Sequence, residues 1–246
     1  MAQFTNFQDI LPDPNNSIGT AGQSTGTAGP GFASVKLTSD QPYVESKTNS
    51  GRLLARAIAS HKWRISITYN DLTRAQFEPI YNFLLQRRGP MNPFYVSLPQ
   101  YRTPQNANFA THCATKTLGV NDGNGYIAGT TVMALDGGPD GGYTIAADST
   151  PAPGDMFTID GANSNHKKAY MVTRVETPSD YTGTAPASNN VRIHFVPGLA
   201  KAVVNNDKVV FNNPLIKVVR TGRGGEEYSL NTNNLYKFSL TLEEVQ

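Results

Sequence analysis

The residues able to do chemistry are few and scattered. Four histidines, His61, His112, His166 and His194, lie far apart, with no H-E-x-x-H pairing and no cysteine pair to complete a zinc set. Histidines so placed are expected at exposed turns and strand surfaces. Cys113 is the sole cysteine, so it has no internal disulfide partner and reads as a buried bystander thiol. Glu226-Glu227 and Glu243-Glu244 are adjacent pairs, and neighbours in a strand point to opposite faces, so neither makes an acid/base dyad. Gly22-Gln23-Ser24-Thr25-Gly26 matches G-x-S-x-G, but a nucleophile elbow needs a strand before the serine and a helix after it, and this stretch offers neither. Gly222-Arg223-Gly224-Gly225 lacks the Lys-Ser/Thr and helix of a phosphate loop and is expected to be a flexible loop. Asn121 to Gly125 and Asp136 to Gly142 lack the ligand spacing and distant bidentate Glu of a calcium loop, which leaves surface turns. No catalytic, metal-binding or cofactor-binding residue is assigned, and the chain is not expected to be an enzyme.

The elements around these residues are better defined than the residues themselves. Lys62 to Tyr69 alternates without a slip, the period of a strand whose Trp63, Ile65, Ile67 and Tyr69 face a core. The period then changes. Phe77, Ile80, Tyr81, Leu84 and Leu85 form the stripe of an amphipathic helix over 73–88. Thr73 with Gln76 makes a capping box, and Leu72 can staple to Phe77. Arg87 and Arg88 suit the negative end of the dipole, Gly89 the left-handed closing conformation, and Pro90 stops continuation. Pro79 removes a donor in the second turn, which predicts a bend near Ala75.

At 246 residues the chain can hold one large β domain or two smaller ones. Its net charge of +2, with 16% charged residues, gives no broad basic face for DNA or anionic membrane. No apolar run is long enough to span a bilayer, and the N-terminus lacks a signal-peptide layout, which predicts synthesis and retention in a cytoplasm. Abundant Gly, Pro, Asn and Thr with a single clear helix predict a mainly β fold.

Residues 1–31 read as a flexible N-terminal arm, because Pro12 to Gly31 has almost no large apolar group to bury. Phe32–Leu37 and Leu53–Ala59 read as strands, with Ser60-His61 turning the second tightly into the strand at Lys62. Between them, Ser39 to Arg52 is polar apart from Tyr43 and Val44, the pattern of an extended loop or projecting hairpin. Phe94 to Pro99 and Leu235 to Leu242 are further strands, and Tyr236, Phe238, Leu240 and Leu242 are expected to share the core of Trp63 and Leu84. Residues 111–213 differ in texture. Short apolar pieces at Thr130–Ala134, Phe157–Ile159, Tyr170–Val172, Val191–Phe195 and Val209–Phe211, separated by turn residues, predict an inserted small β-barrel of five or six strands. The first domain is then 32–110 plus 214–246.

The run WRISITYNDLTRAQFEPIYNFLLQRRGPMNPFYVSLP, residues 63–99, resembles the strand, helix and strand of tail-tip and baseplate proteins of tailed bacteriophages, the distal-tail or tail-tube-like family. The stretches GDMFTIDGANSNHKKAYMVTRVET and VRIHFVPGL look like the barrel insert that accompanies it. The resemblance implies a tail-tube-like β-sandwich with one flanking helix. It also implies rings, usually sixfold, whose subunits join sheet edges and interlock long hairpins around a DNA channel, with Tyr43, Val44 and Arg52 at the subunit interface. Its expected partners are further copies in a homo-oligomer ring (a hexamer), other tail tube, baseplate or fibre proteins, and DNA that passes through without specific binding. It implies a place in the virion tail, assembled in the host bacterial cytoplasm.

The function expected is a non-enzymatic ring adaptor, or hub, at the tube-to-tip or baseplate junction. The alternative is a carbohydrate- or host-receptor-binding module, drawn from the Tyr- and Asn-rich loops of the insert. A cell-wall hydrolase is a third class, and it lacks any recognisable acid/base or metal set.

Overall fold

The computed structural model describes residues 9–12, 31–57, 61–116, 118–137, 149–160, 166, 168–177, 180, 191–222 and 228–245. Most of the 1–31 arm, the G-x-S-x-G run, most of the second Asp/Gly cluster, Glu226-Glu227 and most of the Gly222–Gly225 stretch lie outside them. The chain forms two compact units, residues 1–95 with 218–245, and residues 96–217. It is mainly β.

In the first unit, alternation builds the sheet. β1 (Phe32–Asp40) runs antiparallel to β4 (Lys62–Tyr69), with Leu37 opposite Ile65 and Val35 opposite Ile67. The other side of β4 pairs with β15 (Ser239–Glu244), which sets Leu240 against Ile67 and Leu242 against Ile65. Trp63, Ile65, Ile67 and Tyr69 are buried as their period requires, as are Phe238, Leu240 and Leu242. Tyr236 is only half-buried, because the C-terminal run breaks at Phe238 into a separate short strand, β14 (Tyr236–Lys237), paired with β13 (Ser229–Leu230). The curled sheet has the order β1-β4-β15-β12-β5, with β5 at Phe94–Ser97 and β12 at Leu215–Arg220. The chain passes between the two units within these last two strands.

α1 spans Arg74–Arg87 and is flanked by the expected caps. Gln76 Oε1 accepts from the Thr73 N–H at 3.0 Å and from its hydroxyl at 3.0 Å. Leu72 and Phe77 are both buried, and the helix runs unbroken through Pro79. Arg88 already takes the left-handed conformation (φ 52°), one residue before Gly89 (φ 65°). Phe77, Ile80, Phe83 and Leu84 form the buried stripe, while Leu85 is half exposed. At about 1.5–3 kcal/mol for each fully buried large side chain, this stripe and the sheet face it shares a unit with dominate the unit's stability. Residues 9–12 are anchored and not free: Ile10 bridges Tyr95, Leu11 is fully buried, and Asp9 pairs with Arg87 Nη1 at 2.7 Å.

One strand connection differs from the sequence-based expectation. β3 (Leu53–Ala57) is not paired with β4: its partner is β2 (Tyr43–Lys47), and β4 pairs instead with β1 and β15, while Ser60 of the expected turn lies outside the described residues. Nested pairing wins because the apolar faces of β1, β4 and β15 match, with Val35 and Leu37 of β1 set against Ile67 and Ile65, whereas β3 has no apolar alternation to offer a core.

The second unit holds a closed barrel of order β10-β7-β6-β11-β8-β9. Its strands are β6 (Leu118–Val120), β7 (Val132–Asp136), β8 (Met156–Asp160), β9 (Ala169–Glu176), β10 (Val191–Val196) and β11 (Lys208–Val210). Phe157 centres the core, with ring centroids 5.4 Å from Tyr170, 5.5 Å from Phe195 and 5.2 Å from Phe211. A second helix that the sequence reading did not anticipate, α2 (Ala107–Cys113), feeds Phe109 and Cys113 into the same core. Asn106 caps it by accepting from the Asn108 and Phe109 N–H groups at 3.0 and 3.3 Å. Two apolar side chains four residues apart are too few to announce a helix by period.

Candidate functional site

The side chains with chemistry are engaged by their own fold. Cys113 is buried in the barrel core, and burial pushes its thiol up to about 12, beyond nucleophilic use at neutral pH. His61 and His166 are not on the surface as expected; both are buried, each held by a hydroxyl that offsets its lost hydration. His61 Nε2 lies 2.8 Å from Ser39 Oγ, and its ring meets Trp63 edge-on at 4.6 Å. His166 Nε2 hydrogen-bonds with the Tyr170 hydroxyl, which also accepts from the Ala200 N–H at 2.9 Å. Burial lowers the His166 pKa to about 4, helped by Lys201 and opposed by Asp207. His112 and His194 are half-buried. His194 Nε2 lies 3.0 Å from the carboxylate of Glu176, which Arg174 meets at 3.0 Å and Arg192 at 3.6 Å.

Glu243 and Glu244 face opposite ways, as strand geometry demands: Glu243 pairs with Lys62 and Arg64, while Glu244 is fully buried and accepts from the Trp63 N–H at 3.2 Å. In the first Asp/Gly cluster, Asp122 Oδ1 accepts from the Asn124 N–H at 2.9 Å, closing an ordinary Asx turn. Among the described residues, no group of three His, Cys, Asp or Glu side chains converges to hold a metal.

What the first unit does present is unpaired β structure. β2 and β3 form a two-stranded hairpin with the register Tyr43↔Ala57 through Lys47↔Leu53, and among the described residues neither strand has a second partner. Every residue of β2 is exposed. The turn is locally well made: the Gly51 N–H donates to the Thr48 carbonyl at 2.8 Å, the Thr48 N–H to the Arg52 carbonyl at 2.9 Å, and Gly51 takes φ +81°, where only glycine is at ease. The Arg52 N–H also donates to Thr48 Oγ1 at 3.1 Å. Tyr43 is 62% exposed and Val44 53%, and the structure adds two residues the sequence reading left inside a strand, Leu53 at 53% and Leu54 at 49%. The signal was available: Leu53-Leu54 follows the polar segment directly and lacks the alternation of a half-buried strand.

An isolated two-stranded hairpin is marginal in water, and four exposed large apolar side chains on one are a surface that wants cover. Beside its base, the outward face of the sheet is polar and carries a group of ion pairs, with Lys36 of β1 an exposed cation opposite Ser66 on the same face. Lys62 pairs with Glu243, and Arg64 pairs with Asp40 at 2.8 Å and with Glu243 at 3.5 Å, two cations against two anions. Ser66, Thr68, Ser239 and Thr241 continue that face.

Residues 11–101 match the family described as distal tail protein pb9, A domain, N-terminal. Over 236 residues the chain is 26% identical to the distal tail protein pb9 of Escherichia phage T5, a match covering 95% of this chain and 98% of that protein. The chain is similar to the phage distal tail proteins. The resemblance read from residues 63–99 is therefore borne out, and the distal tail family match takes in the anchored Leu11, the β1–β4 ladder, the exposed hairpin, α1 and β5. The whole-length likeness to the distal tail protein runs on through the barrel.

Proposed function

We propose that this chain is a structural, non-enzymatic component of a phage tail, forming a ring at the tube-to-tip or baseplate junction around the DNA channel. The observation that carries the ring is the β2–β3 hairpin: a subunit that exposes Tyr43, Val44, Leu53 and Leu54 on an unsupported pair of strands is incomplete alone. Tyr43, Val44 and Arg52 serve as interface residues in this reading. Point symmetry supplies the missing partners at no cost in new sequence, since every copy brings the same edge and the same cover. Six copies are the number the family resemblance implies.

The ion-paired patch formed by Asp40, Lys62, Arg64 and Glu243, continued by hydroxyl side chains and by Lys36, suits a wall past which DNA slides. A passage lined by unpaired Lys and Arg would bind phosphates and release counterions at each contact, holding the DNA in place. The barrel, in this reading an inserted domain, meets other tail tube, baseplate or fibre proteins. The protein resides in the virion tail and is assembled in the host cytoplasm.

Native mass spectrometry with negative-stain imaging across the micromolar range tests the proposal. Closed rings are the expected result. A chain that stays monomeric at every concentration, and also when mixed with its neighbouring tail proteins, would sink it.

A further inference from the structure

The barrel unit keeps a buried charge with no countercharge. Asp155, just before β8, is 4% exposed. Its carboxylate accepts from two backbone groups, the Gln105 N–H at 3.0 Å on Oδ1 and the Ala152 N–H at 2.8 Å on Oδ2, and forms no ion pair among the described residues. Burying a carboxylate is costly when no cation answers it. Asp155 borders a cavity of about 250 Å³, which Gln100, Tyr101, Gln105, Met156 and Phe211 also line. No Lys or Arg is among the described residues that line it.

The carboxylate is fixed in place before anything arrives. The Asp155 N–H donates back to the Ala152 carbonyl at 3.0 Å, and the Gly154 N–H donates to the Val172 carbonyl at 2.8 Å. The Val172 N–H donates to the Asp155 carbonyl at 2.9 Å, and Gln105 Nε2 to the Pro153 carbonyl at 3.0 Å. Gly154 takes φ +95°, and a Cβ there would come 3.0 Å from Gln105 Nε2, so the loop closes this tightly because residue 154 has no side chain. Each carboxylate oxygen accepts one bond and keeps a second acceptor position, the pair of sites that a planar fork of donors fits.

We propose that this cavity receives an arginine side chain of a neighbouring tail protein; the inference rests on the reading that the barrel meets such proteins, and it names the group they bring. Size favours a side chain, because the cavity is smaller than the ~300–1,000 Å³ of sites that enclose a whole small ligand. Charge favours a cation, because a fixed, uncompensated carboxylate gains most from an opposite charge that arrives with its own donors. The rest of the lining favours guanidinium over ammonium. A guanidinium is planar and weakly hydrated and stacks on aromatic faces, which Tyr101 and Phe211 supply, and its methylene stem suits an apolar neighbour such as Met156.

The test follows the backbone amide resonances of the full-length protein at constant ionic strength. The probes are N-acetyl-arginine methylamide, the corresponding blocked citrulline, which is its neutral isostere, and spermidine. Saturable shifts at Ala152, Gly154 and Gln105 are expected with the blocked arginine, at a Kd on the order of millimolar, with the other two probes about tenfold weaker or more. Asp155→Asn should remove the response. Tyr101→Leu, which leaves the hydrogen bonds of Asp155 in place, should weaken it roughly threefold. Citrulline or spermidine binding as tightly as arginine, shifts that map away from the cavity, or no saturable shift at all would overturn the inference. So would neighbouring tail proteins that bind the wild type and Asp155→Asn equally well, and rings that still form in that case keep the ring reading. Absence of rings under every condition, with the arginine response intact, would sink the ring and keep the site.

Discussion

The barrel and the hairpin are built from similar short strands and end in opposite conditions. Each barrel strand pairs on both sides, its side chains converge on Phe157, and its Cys and buried His are locked into the core. The hairpin has a well-formed turn, a clear register and no core at all. Closure makes one self-sufficient, and its absence leaves the other with two free edges among the described residues. The difference lies in where the apolar residues fall, not in how many there are. Those in the barrel strands are enclosed around a common core, whereas Leu53-Leu54 sit side by side on a hairpin and so face both ways into solvent.

The comparison is broken most forcefully at Phe157. Phe157→Ala removes the ring that touches Tyr170, Phe195 and Phe211, and should cost about 3–5 kcal/mol in urea unfolding of the barrel. The next effect is on pH. Because burial lowers the folded pKa of His166 to about 4, the unfolded chain takes up a proton near the ordinary value while the folded one resists. The stability of the barrel is therefore unaffected by this group above about pH 6.5, and falls by about 2 kcal/mol as pH drops from there toward 4. His166→Gln should flatten that part of the profile; an unchanged slope would show that the ring is not held neutral.

Smaller still is the latch on residues 9–12. The Arg87 guanidinium pairs with Asp9 and lies 4.5 Å over the Phe83 ring, so Arg87→Ala should lower stability by about 1 kcal/mol. It should also expose the segment around Leu11 to limited proteolysis. The smallest change in folding is expected at the hairpin itself. Tyr43→Asp alters an exposed residue and should shift the unfolding free energy by less than about 0.5 kcal/mol, while abolishing assembly. If it destabilises the monomer as strongly as a core substitution, the contrast between the two regions fails.

Much of this was legible in the chain. The strand at Trp63, the capped helix and the barrel all announce themselves by period, since burial on one face writes a regular pattern. What escaped has identifiable causes. α2 contributes two buried side chains and no stripe, and Leu118–Val120 is three residues long. The pairing of β3 with β2 depends on which distant faces fit β4, which no local window contains. Tyr43 and Val44 stand out as apolar residues in a polar stretch, whereas the exposure of Leu53 and Leu54 follows from the pairing of β3 with β2 alone.

Trp63 is the sole tryptophan of the chain, and it is packed edge-on against His61 in the ladder rung next to the one from which the hairpin departs. The protein thus carries its own optical probe. Excitation of this indole reports from a single point, against the His61 ring at the base of the hairpin. Under the proposed ring, assembly is then followed in real time, without a label, as a change in emission beside the hairpin base.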